Sequence, residues 1–233
     1  MTVRLPPAPG DNQDISILDG ITFHLDQSRT AILGLNGSGK STVLRLLNGL
    51  VSPSEGSVTV HGVDVVAHRS LARRTVGFVF TDPTAQLLMP TALEDVELSL
   101  RTTHPDPQRR RSRALALLAE AGLAAHVHQS VYDLSGGQRQ LAALTSVLAV
   151  DPSVVVLDEP TTLLDLRNRA RLMDRLRELP QQLVYATHDL ELAATAQQVV
   201  VIHQGRVHAH GGPELVDQYL RWCIDGFPGE QIG

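Results

Sequence analysis

A single cysteine, Cys223, stands in 233 residues, so no internal disulfide can form, and a lone thiol fits a reducing compartment. The chain also lacks an uninterrupted apolar run of the about 20 residues that a bilayer-spanning helix takes. Met1 to Gly10 is proline-rich with no apolar stretch, unlike a secretory leader. The expectation is a chain soluble by itself, which reaches a membrane only through a partner. Positive charge is not in excess either. Lys and Arg number 20 against 25 Asp and Glu, a formal net charge of -5. That balance argues against a nucleic-acid partner, because such binding draws its affinity from clustered cations. The one basic run, Arg109-Arg110-Arg111 with Arg113, opens a helical pattern and reads as a solvated face. Internal repeats and low-complexity tracts are absent from the sequence.

What is there is a 42% hydrophobic chain, enough for one core with a smaller subdomain. Thr30–Leu33, Val76–Phe80, Val154–Leu157, Leu183–Ala186 and Val199–His203 read as buried strands. Ser57–Val60 alternates polar and apolar after a turn-forming run, and reads as a short strand. Helical spacing covers Lys40–Leu50 and Leu166–Leu179. Between Thr91 and Val150 the character is helical, over Leu93–Leu100, Gln108–Ala121 and Gln138–Val150. Strand, helix, strand in this order implies a parallel sheet with crossover helices, into which the helical middle is inserted. The expected division is a core of residues 1–85 and 151–212, a helical subdomain of 86–150, and a tail of 213–233. Pro213–Leu220 gives that tail a short helix.

Gly34-Leu-Asn36-Gly37-Ser38-Gly39-Lys40-Ser41-Thr42 follows a predicted strand and opens a predicted helix, the context a phosphate-binding loop requires. Glycines let the backbone turn so that successive N–H groups point at anionic oxygens. The helix beginning near Lys40 adds its positive dipole end. Lys40 is expected to reach the β- and γ-phosphates of a nucleotide, and the Ser41 hydroxyl to ligate Mg2+. Val154–Leu157 ends in Asp158 and Glu159. Parallel strands present such ends beside the phosphate loop. Asp158 would hold the Mg2+, and Glu159 would serve as general base or orient the attacking water.

Neither motif separates a kinase, a GTPase and a transport ATPase. Leu134-Ser135-Gly136-Gly137-Gln138-Arg139 does: with it the chain resembles the ATP-binding-cassette (ABC) transporter ATPases, from about Ile15 to Glu214. Asp158-Glu-Pro-Thr161 with Leu164-Asp165, and Ala186-Thr-His188-Asp189, stand where that family has its D-loop and switch histidine. The resemblance implies an α/β fold, a P-loop RecA-like nucleotide-binding core with an antiparallel β subdomain and an inserted α-helical subdomain carrying the signature. It implies an ATPase in which two subunits sandwich two ATP molecules. Ser135, Gly136, Gly137 and Gln138 of one subunit would contact ATP held by the other, and Asp165 would bridge the interface. His188 would contact the γ-phosphate and align with Glu159. The second ATPase subunit could be a copy or a relative, and integral membrane subunits complete the machine at the cytoplasmic face of the cell membrane.

Val76–Pro83, then Gln86-Leu87 and Thr91–Val96, resemble the coupling region of one branch, the energy-coupling-factor importers of vitamins and transition metals, near the cobalt and biotin systems. A groove there would receive helices of a membrane partner, with Leu87, Leu88 and Met89 as apolar anchors. Two rival readings stay open at this point: a soluble ABC ATPase of iron–sulfur assembly type, and an ATP-binding regulatory switch.

Two positions depart from the family pattern. Thr81 stands where the family usually has glutamine as a ligand to magnesium and water, so that contact is expected to be weaker, or taken over by Gln86. No Phe, Tyr or Trp precedes Phe23 to stack on adenine, and weaker ATP binding with poorer discrimination against GTP is expected. The histidines read blandly: His203, His208 and His210 as a surface hairpin over Val199–His210 turning at Gly205, with His208 and His210 on one strand face, and His126 and His128 as surface residues.

Overall fold

A computed structural model describes residues 1–5 and 15–228. Most of the proline-rich Val3–Gly10 stretch therefore lies outside the described residues, as does the end of the tail. The chain divides into two compact units, Met1–Val76 with Gln182–Gly233, and Gly77–Gln181. Compactness places the boundaries at 76 and 181, whereas the change of secondary-structure character suggests 85, 150 and 212.

The first unit opens with β1 (Val3–Leu5), β2 (Ile15–Leu18), β3 (Arg29–Leu33), α1 (Lys40–Leu47), β4 (Thr59–Val60), β5 (Val63–Asp64) and α2 (Arg69–Thr75). Through β6 (Val76–Val79) the chain enters the second unit, with α3 (Pro83–Gln86), α4 (Ala92–Ser99), α5 (Pro107–Glu120), α6 (Gly136–Leu148), β7 (Val154–Asp158) and α7 (Leu166–Glu178). It returns with β8 (Gln182–Ala186), α8 (Leu190–Ala193), β9 (Gln198–His203), β10 (Arg206–Gly211) and α9 (Leu215–Asp225).

In the first unit β3 lies between β8 and β9 and runs parallel to both, with Ile32 opposite Ala186 and Leu33 opposite Val201. β10 closes this side antiparallel to β9. Ala31, Ile32 and Leu33 are fully buried, as a strand covered on both faces must be. Thr187 N donates to Ile32 O at 3.3 Å, so the chain leaves β3 and β8 at neighbouring points. β1 with β2, and β4 with β5, form separate antiparallel pairs.

α1 stops at Leu47 although the apolar period runs on to Leu50. Gly49 is left-handed at φ 73°, and the Gly49 and Leu50 amides donate back to Leu46 O and Arg45 O, a closing pattern that ends the helix. The buried Asn48 amide donates to Val76 O at 2.6 Å and fixes that end. Only Thr59–Val60 of the alternating run Ser57–Val60 forms a strand.

The second unit has its own apolar core, in which Leu93 and Val96 of α4, with Leu100 at its C-cap, join Leu118 of α5 and Ala142 of α6. Each such leucine contributes about 1.5–3 kcal/mol on burial. Thr91 and Glu94 form a reciprocal cap on α4, and Asp106 caps α5 with Pro107 in its first turn. Asp95, buried in α4, accepts from Leu88 N, Met89 N and Ser146 Oγ at 2.8, 3.2 and 2.8 Å. Its carboxylate thus holds the loop after α3 against α4 and α6.

The tail helix runs to Asp225 rather than ending at Leu220: Trp222 packs against His208 in the added turn, and Gly226 stops the helix at φ 94°. The hairpin of β9 and β10 turns at Gly205, but its register shifts between Val207 and Ala209. His208 and His210 therefore do not alternate on one regular face. His208 packs edge-on to Trp222 and Phe227, while His203 stacks on Phe227 with centroids 3.8 Å apart.

Candidate functional site

The phosphate loop joins β3 to α1. A side chain on Gly34 would collide with the Ile202 carbonyl, and Gly39 caps α1 in left-handed conformation at φ 105°. Both positions require glycine. Lys40 is buried and donates from Nζ to Gly34 O at 2.8 Å and Leu35 O at 3.2 Å, drawn back over the loop. Ser41 and Thr42 occupy the first turn of α1, which holds no acidic residue. Gly37 is exposed at the loop tip, and the neighbouring Ser38 hydroxyl is buried with no hydrogen-bond partner among the described residues. An uncapped helix start, a lysine and an orphaned hydroxyl form a donor set that fits phosphate oxygens.

His188 follows β8 and enters the same loop's surroundings. Its Nε2 lies 2.9 Å from Asn36 Oδ1 and 3.4 Å from Lys40 Nζ. An oxygen acceptor at the shorter distance calls for the Nε2–H tautomer. The turn carrying His188 is built by Asp189, whose amide donates to Thr187 Oγ1 and whose carboxylate caps α8 through Leu192 N.

In the second unit, β7 is buried throughout and ends at Asp158, only 3% exposed. The next residue, Glu159, has φ 51°, a left-handed conformation that non-glycine residues adopt at a cost of order 1–3 kcal/mol. Thr162 Oγ1 donates to Glu159 Oε2 at 3.2 Å, and Thr162 N to Glu159 O at 3.3 Å. A Ser41 hydroxyl and an Asp158 carboxylate are hard oxygen donors, the kind Mg2+ takes.

The signature sequence starts α6. Ser135 is its N-cap: Ser135 Oγ accepts from Gln138 N at 3.2 Å and Gln138 Oε1 from Ser135 N at 2.7 Å. Arg139 reaches back and donates to the carbonyls of Val131, Tyr132 and Leu134, the last at 2.6 Å. Gly136 approaches the Leu163 carbonyl and Gly137 the Asn168 side chain, so the signature and the D-loop touch within this unit. Asp165 caps α7, accepting from Asn168 N at 2.8 Å and Asn168 Nδ2 at 2.9 Å.

Thr81 follows β6 and is half-buried. Gln86 has both ends of its amide on backbone groups. The Gln86 oxygen accepts from Phe80 N at 2.9 Å and its nitrogen donates to Phe78 O at 3.2 Å, which fastens α3 to the end of β6. His126, read from the sequence as an ordinary surface residue, is half-buried with both ring nitrogens engaged, Nδ1 by Gln129 and Nε2 by Gln138. No local pattern signals this contact, since twelve residues separate His126 from Gln138.

The ABC transporter family model matches residues 18–162. The biotin transport ATP-binding protein of Rhizobium etli is 39% identical over 192 residues, 82% of this chain and 85% of that one. The energy-coupling factor transporter ATP-binding protein of Bacillus licheniformis is 36% identical over 209 residues, 87% and 74% of the two chains. Among solved structures, a dimeric ATP-binding cassette in a post-hydrolysis state with ADP and phosphate superposes with a TM-score of 0.80. It is 29% identical, with 91% of this chain and 96% of that one covered. With its phosphate loop, carboxylate strand, signature helix and switch histidine, this chain belongs to the ABC transporter family, as an ATP-binding subunit that hydrolyses ATP to drive transport.

Proposed function

We propose that this chain is the ATPase of an energy-coupling-factor importer that takes up a vitamin or a transition metal, with biotin- or cobalt-like cargo. The observation that carries this reading is the 39% identity to a biotin transport ATP-binding protein over 82% of the chain. The stretch Val76–Pro83 with Gln86-Leu87 adds to it.

In this reading the amides of Asn36–Thr42 and the Lys40 ammonium hold the ATP phosphates, with Lys40 exchanging two carbonyls for β- and γ-oxygens. Ser41 and Asp158 would hold Mg2+, which would supply charge neutralisation of the phosphates. Glu159 accepts the proton of the attacking water, and His188 donates Nε2–H toward the γ-phosphate instead of Asn36. Ser135 to Gln138 offer the start of α6 to ATP held by a second ATPase subunit, a copy or a relative, and Asp165 bridges the pair. ATP then joins the subunits and hydrolysis releases them, a two-state cycle that can move membrane helices. Leu88, 75% exposed beside the anchor at Asp95, is a contact for an integral membrane subunit at the cytoplasmic face.

Affinity purification of this chain from detergent-solubilised native membranes, followed by mass spectrometry, tests the reading. A multi-helix membrane protein with a small substrate-binding membrane subunit is the expected company. Recovery of soluble partners alone would overturn the importer assignment and favour the iron–sulfur type of ABC ATPase.

A further inference from the structure

Five side-chain and backbone groups around the signature form one directional chain of hydrogen bonds. Gln129 Nε2 donates to Asp133 O at 3.1 Å, which turns its Oε1 toward His126 Nδ1 at 2.9 Å. An amide oxygen can only accept, so Nδ1 carries the proton. In the neutral ring Nε2 is then an acceptor, and Gln138 Nε2 donates to it at 2.9 Å. This orients Gln138 so that its Oε1 receives Ser135 N at 2.7 Å, while Ser135 Oγ takes Gln138 N. Each link has a donor facing an acceptor with only one tautomer of His126. Arg139, which gathers the carbonyls of Val131, Tyr132 and Leu134, makes no contact to the Gln138 side chain that could do this instead.

From this we infer that His126 is a positioning residue for the signature: its Nδ1–H tautomer selects one orientation of the Gln138 amide and thereby presents Ser135 and the start of α6 to ATP. The opposite amide orientation would set two N–H donors against Ser135 N–H and open the cap. The inference rests on the reading of Ser135 to Gln138 as the contact to a second subunit's ATP. His126 touches no nucleotide itself, and its influence is on turnover rather than on ATP capture by the phosphate loop. A shift of the donor group by about 1 Å from its working position is enough to slow chemistry on the order of 100-fold.

The test compares His126→Phe, His126→Gln and Gln138→Ala in the membrane-extracted complex. His126→Phe keeps the ring and removes both nitrogens; a fall in kcat of roughly tenfold with KM for ATP within about twofold is expected. His126→Gln restores one donor and one acceptor and should recover most of that loss. Wild-type kcat in His126→Phe, or equal losses in the Phe and Gln variants, would overturn the inference. Unchanged kcat in Gln138→Ala would overturn the reading of the signature, and the inference with it. A measurement free of folding effects is the 15N spectrum of the histidine-labelled wild-type chain, where His126 should show a protonated Nδ1 and a bare Nε2. The reverse tautomer would contradict the proposal.

Discussion

A Cβ placed on Gly137 would sit 2.6 Å from Asn168 Oδ1 and closer still to Asn168 Cγ, while that same Asn168 amide donates to Asp165 at 2.9 Å. The signature glycine and the D-loop aspartate thus share one neighbour. Gly137→Ala should push Asn168 off Asp165, and turnover should fall on the order of 100-fold, as for any displaced reacting group. Pairing it with Asn168→Gly relieves the clash, because Asn168 Cβ is itself 2.5 Å from the new atom. ATPase assays on the single and double variants check this; strictly additive losses would mean the two sites are not coupled.

Thr81 and Gln86 separate two effects that the sequence leaves joined. With both ends of its amide on Phe78 and Phe80, Gln86 serves the fold, so Gln86→Ala should lower stability by about 1–3 kcal/mol. Its magnesium dependence should stay unchanged. Thr81→Gln, by contrast, should raise turnover several-fold by restoring reach toward water and metal. Magnesium titrations of phosphate release on both variants decide the matter, and an unchanged rate in Thr81→Gln would remove the assigned role.

Burial raises the Tyr185 phenol above its ordinary 10.0, and its hydroxyl donates to Leu192 O at 3.2 Å. The folded state therefore binds this proton more tightly than the unfolded chain. The resulting stability is fully present below about pH 10 and is lost as pH rises through the higher folded value. Tyr185→Phe should cost about 0.5–1.5 kcal/mol at neutral pH and lessen the alkaline decline. Urea unfolding across pH 8 to 11 measures both.

Much of the core was legible because it is written locally. The apolar runs of β3, β7 and β9, the glycines and lysine of the phosphate loop and the serine cap of α6 each depend on neighbours a few residues away. The end of α1 was not, since Leu50 keeps the helical period while Gly49 and the buried Asn48 close the helix. The full length of α9 was missed for a similar reason: Trp222 and Phe227 find their partners on the distant β9–β10 hairpin. The hold of Gln86 on the end of β6 was not legible, because its partners, the Phe78 and Phe80 backbone groups, carry no residue-type signal. His126 belongs to the same class. The site residues were therefore readable as types at a spacing, whereas the contacts that hold them were readable only in three dimensions.

Adenine recognition follows from what precedes the phosphate loop. No Phe, Tyr or Trp precedes Phe23 to offer a stacking contact worth about 1 kcal/mol, and ATP and GTP are expected to bind the chain within about tenfold of each other. Fluorescent-nucleotide competition reads this directly, and nanomolar ATP affinity would contradict it.

The most direct test of the account is steady-state phosphate release by the complex extracted from native membranes, comparing wild type with Glu159→Gln. Magnesium-dependent hydrolysis is expected in the wild type and a loss of at least about 100-fold in the variant, with ATP still bound. Equal rates in the two would contradict the assignment of Glu159 as the base and of this chain as the motor.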